Sequence, residues 1–186
     1  MRKHVTEMAR PWWRQLLAML SPSRLDLGKR LDQHYSAEVR MAFLLAQDAE
    51  SLIRYPHPSG RVLDASEHAS RRAQRIRLAL EALDHPITEP VRMSGRNGHT
   101  AWERLRASMS ELTRMSEAYL EAGYAVGHEH PETAGLLLQL HQGAAADRHE
   151  LVWTLSQLER TGMEASLEEL GVRSSELGVD GRLMRR

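Results

Sequence analysis

Six side chains in this sequence are of the types that a carboxylate–histidine metal centre uses: Glu38, Asp64, His68, Glu111, Asp147 and His149. Such a site needs hard oxygen ligands and imidazole nitrogen held in a dry core. On a helix, an acid three or four residues before a histidine shares its face, and both can reach one ion. Asp64 stands four residues before His68. Later in the chain Asp147 and Glu150 form an acidic pair at three-residue spacing, while Ala146 stands three before His149.

Each of these residues also has a plainer reading. Glu38 lies on an otherwise apolar stripe, where an unpaired carboxylate is costly. It is either a ligand or one half of a buried salt bridge with Arg72 or Arg75. His68 is either a ligand or a packed or surface histidine on the face it shares with Arg72. Glu111 lies in a stretch so rich in charge that a glutamate there can arise by chance.

The elements that must position these groups are helices. Ala, Leu, Arg and Glu dominate, aromatics are scarce and β-branched residues are scattered, a composition that favours helix. A short helix is predicted from Pro11 to Leu20 and ends at Ser21-Pro22-Ser23. A second spans Leu25 to Tyr55, with Leu31, Tyr35, Glu38, Ala42, Leu45, Ala49 and Leu52 on one face. Pro56-His57-Pro58-Ser59-Gly60 is predicted to break the chain. A third helix follows from Val62 to Leu83, then a long crossover from Asp84 to His99. The fourth covers Thr100 to Val126 and the fifth Pro131 to Arg160. Beyond Thr161-Gly162 a flexible tail is expected.

The hairpin from Tyr119 to Arg160 is a helix, a tight Gly127-His128-Glu129-His130-Pro131 turn and a second helix. It resembles the second half of ferritin-like four-helix bundles of the rubrerythrin and bacterioferritin type. That resemblance implies an all-α, ferritin-like up-down four-helix bundle over residues 25–160. An amphipathic helix (1–24) would precede it and a tail (161–186) would follow. It also implies two metal ions, iron or manganese, among facing carboxylates and histidines. Glu38 matches the first-helix glutamate of the family. Glu67-His68-Ala69 is similar to its Glu-x-x-His-Ala helix, with His68 on the histidine position. Glu111 matches its single-glutamate position. The match is partial: Ala65 stands three before His68, and no register gives Glu-x-x-His near Asp147. A reduced or altered metal site linked to iron handling or oxidative stress is one expectation. A metal-free, non-enzymatic scaffold is the other.

Lys plus Arg and Asp plus Glu balance at 25 each, which argues against a nucleic-acid partner. Residues 1–30 nevertheless hold seven bases against two acids. There is no cysteine, so disulfides and thiolate-held metals are excluded. No apolar run is long enough to cross a bilayer and no signal peptide is read, so a cytoplasmic protein is expected.

Both ends carry partner signals. Trp12 and Trp13, with Leu16 and Leu20 and flanked by Arg10 and Arg14, suit an anionic membrane surface. They equally suit packing on the bundle or on a second copy, as in a dimer. The tail around Leu177, Val179 and Leu183 resembles the C-terminal targeting peptides of encapsulin cargo proteins. A frayed tail with chance leucines is the alternative.

Overall fold

The computed structural model describes residues 24–88, 90 and 100–169. The predicted helix at Pro11–Leu20, with Trp12 and Trp13, lies outside them, as do the anchors Leu177, Val179 and Leu183. The described residues form four helices and no strand: α1 Arg24–Ser51, α2 Pro56–Ala82, α3 Ala101–Val126 and α4 Pro131–Glu169.

The three- and four-residue apolar spacing explains how they pack. Every position read as the inner face of the second predicted helix, Glu38 included, is buried, with Leu52 just past the end of α1. Ala65, Ala69 and Ile76 on α2 are buried, as are Leu105, Leu112, Tyr119 and Val126 on α3 and Leu137, Leu140, Ala144, Leu151 and Leu155 on α4. These side chains join in one continuous core.

Cross-helix contacts fix the arrangement. α1 packs on α2 and α3, and α4 packs on the same two. Ser66 and Ser59 of α2 donate to the carbonyls of Ala42 and Ala49, so α1 and α2 run antiparallel. Asp48 meets Arg104 while Glu38 meets Tyr119, which makes α1 and α3 antiparallel. Arg61 meets Glu150 and Arg75 meets Gln139, so α2 and α4 are antiparallel as well. Trp102–Glu159 and Ser116–His141 complete the square between α3 and α4. α2 and α3 therefore lie on a diagonal and run parallel, so the link between them joins opposite ends of the bundle. Its first residues already run back along α1. His85 packs over Gly28, whose Cβ would fall 2.3 Å from the imidazole, and the Thr88 amide donates to Asp32. Two short turns and one long crossover are the connectivity of ferritin-like folds in general.

Two boundaries differ most from the sequence expectation, beside the end of α1 at Ser51 in place of Tyr55. α2 begins at Pro56 and not at Val62, because prolines in a first turn lack only N–H groups that have no helical partner. α4 continues through Thr161-Gly162 to Glu169, since a glycine weakens a helix by about 1 kcal/mol without blocking it. The start of α3 is set by a capping box. The Thr100 hydroxyl accepts from the Glu103 amide, and the Glu103 carboxylate accepts from the Thr100 amide.

Candidate functional site

At mid-height each helix sends a polar side chain into the core. Glu38 comes from α1, Arg72 from α2, Tyr119 from α3 and Asp147 from α4. Arg72 is the hub. Its Nε donates to Glu38 Oε1 at 2.6 Å and its Nη1 to Asp147 Oδ2 at 2.5 Å. The Tyr119 hydroxyl donates to the same Glu38 oxygen at 2.7 Å. Side-chain exposure is 0% for Glu38, 3% for Asp147 and 6% for Arg72, so the whole network is dry.

The network is not fully satisfied. Glu38 Oε2 and Arg72 Nη2 are buried and have no hydrogen-bond partner. Burial pushes the Glu38 carboxyl above the usual carboxylate range, and the opposing pull of Arg72 and Tyr119 does not cancel it. For Arg72, burial favours loss of the proton, but the charges of Glu38 and Asp147 outweigh it and raise its pKa further. The Tyr119 phenol is likewise raised, by burial and then by Glu38. One turn before Glu38, His34 packs its ring 4.7 Å from that of Tyr119. Burial and then Arg30 lower its pKa to about 4, which keeps it neutral.

His68 joins from the outside. Its Nδ1 lies 2.7 Å from Asp147 Oδ1, and its side chain is 48% exposed. Because the carboxylate only accepts, the imidazole donates from Nδ1 and turns its other nitrogen away. His68 stands on the wall of a groove of about 960 Å³ between α2 and α4, which Asp64, Arg71, His149 and Glu150 also line. Small residues open this groove. A Cβ on Gly143 would lie 3.4 Å from Arg72 Cδ.

The predicted set is thus divided. Glu38, His68 and Asp147 converge, with Arg72 among them. Asp64 and His149 are exposed on the groove. Glu111 is half-buried on α3, two turns before Tyr119. The salt bridge read for Glu38 is formed, with Arg72 as its partner and not Arg75. Arg75 instead donates to Gln139. Tyr119 belongs to no metal-ligand pattern and yet completes the centre. The missed signal is that a buried tyrosine hydroxyl seeks a partner, and Glu38 shares its core.

Whether an ion fits here is decided by Arg72. The two buried carboxylates have their cation already, and a divalent ion beside a buried guanidinium would be repelled. Among the described residues no three of His, Asp and Glu are grouped to hold a metal ion. The centre as built does not fit iron or manganese.

No protein-family model, curated protein or solved structure matches this chain.

Proposed function

We propose that this chain is a non-enzymatic ferritin-like scaffold, in which an arginine closes the centre and the two ends carry the partner contacts. The observation that supports this is the Arg72 guanidinium spanning Glu38 and Asp147. A bundle closed by a buried ion pair is rigid and inert at its core. Its work then falls to the segments that leave it. Residues 1–24 bring the basic, Trp-rich arm, whose preferred resting place is the bundle or a second copy in a dimer, with an anionic membrane as the rival surface. Beyond α4 the chain brings Leu177, Val179 and Leu183, spaced as anchors for the groove of an encapsulin-type shell. Among the described residues no helix is long and apolar enough to cross a membrane.

Elemental analysis of protein produced with added iron and manganese tests this reading. Metal far below one ion per chain, with a melting temperature indifferent to EDTA, is expected. Stoichiometric metal lost to EDTA with a fall in melting temperature would refute it. A second reading, an altered iron or manganese site concerned with oxidative stress, draws support from the convergence of Glu38, His68 and Asp147. It needs Arg72 to swing out into the groove.

A further inference from the structure

We infer that Glu38 and Asp147 form a cation site whose resident cation is the Arg72 side chain, so that removing this side chain opens the centre to a divalent ion. The inference rests on the reading of the centre as arginine-closed. Three observations carry it. First, two carboxylates from helices on a diagonal, α1 and α4, point at one positive group and are nearly or fully buried. Second, that group is an imperfect occupant. Glu38 Oε2 is wholly buried and accepts from no protein donor, although Oε1 accepts from two. A spherical cation can draw on both oxygens of a carboxylate, whereas this guanidinium satisfies one. Third, the side chain that blocks the site also lines the groove beside Gly143, so its loss joins the centre to solvent and gives an ion and its waters a route in.

The donor chemistry sets the ligand class. Two carboxylates with water, and His68 either holding Asp147 in place or turning in as a nitrogen donor, suit a hard or borderline divalent ion such as Mn²⁺. His68 held by the Asp147 carboxylate would orient that ligand from outside, as outer partners do at metal sites.

The test uses the full chain with Arg72→Ala and Arg72→Met, the second filling more of the vacated space. Mn²⁺ binding is followed by loss of the free-ion resonance in electron paramagnetic spectra, with thermal melts alongside. Either variant is expected to bind about one Mn²⁺. At tenfold over its dissociation constant, its melting temperature should rise by about 3–6 °C. Adding Glu38→Gln and Asp147→Asn should abolish both effects. If Arg72→Ala is unfolded alone, recovery of its helical circular dichroism on adding Mn²⁺ supports the inference equally. Folded Arg72→Met that takes up no Mn²⁺ at about 1 mM would overturn it. So would Mn²⁺ binding that survives loss of both carboxylates. The native chain run in parallel separates the two proposals: Mn²⁺ uptake by it contradicts the arginine-closed reading, while failure of the variants contradicts only this inference.

Discussion

Among the described residues, arginine meets buried carboxylates at two places in the bundle, and the two are built differently. At the end where α1 meets α3, Arg104 Nε donates to Asp48 at 2.8 Å, and Ser108 adds a longer contact of 3.4 Å to the other oxygen. Asp48 is buried, but Arg104 keeps 18% of its side chain exposed. At the centre Arg72 serves two carboxylates at once, is three times less exposed, and leaves one of its own nitrogens and one Glu38 oxygen without partners. The peripheral pair ties two helices while the arginine keeps part of its hydration, the arrangement expected of a long side chain that buries its stem. The central one takes a full desolvation cost and joins three helices, with Tyr119 adding the fourth. Buried ion pairs of this kind contribute little net stability compared with apolar packing. Its position, not its strength, is therefore what needs explaining, and charge balance around two inward carboxylates is the explanation.

The largest test of this contrast is Arg72→Ala. It strands Glu38 and Asp147 in a dry core and should lower stability by about 3–5 kcal/mol in urea melts. Replacing the trio together, Glu38→Leu with Arg72→Met and Asp147→Leu, should restore most of that loss, because no charge is left unpaired. If Arg72→Ala costs under about 1 kcal/mol, the central network is not the tight pair described here.

A pH titration sharpens the picture of the centre, since two neighbours on α1 act with opposite sign. With its pKa lowered to about 4, His34 binds fewer protons folded than unfolded between that pH and 6.5. Its contribution is therefore present above pH 6.5 and is lost as pH falls toward 4, by up to about 3 kcal/mol. Glu38 is raised, so the folded chain holds its proton longer than the unfolded one. Its contribution is greatest at low pH and declines as pH rises above 4.5. Stability of His34→Phe, followed from pH 7 to pH 4, should lose the acid-side decline. An unchanged profile would remove His34 from the account.

At the peripheral pair, Arg104→Ala should cost about 2 kcal/mol, in the range of a hydrogen bond to a charged group. A loss matching that of Arg72→Ala would erase the distinction between the two sites. Smallest of all, Arg61→Ala removes an exposed pair with Glu150 and a stacking contact on Trp153, its guanidinium carbon 3.9 Å from the ring centre. The expected change is within about 1 kcal/mol, because solvent already screens both partners.

The helical framework could be read from the sequence, since the stripe from Leu31 to Leu52 and its counterparts on the other helices are the buried faces. What could not be read is which of two cations sits beside Glu38. Helical spacing places Glu38, His68, Arg72 and Asp147 inward or nearly so. Spacing within a helix says nothing about the register between helices that brings Arg72 onto both carboxylates. Pro56 and Gly162 are helix breakers by residue type alone, yet proline is at home in a first turn, and a single glycine is outweighed in a helix 39 residues long.

The most direct test of the central claim is a high-resolution crystal structure of the full chain grown with excess Mn²⁺. The account predicts the Arg72 guanidinium bridging Glu38 Oε1 and Asp147 Oδ2, with no anomalous density between the carboxylates. A Mn²⁺ ion held by Glu38 and Asp147, with Arg72 turned out into the α2–α4 groove, would contradict it.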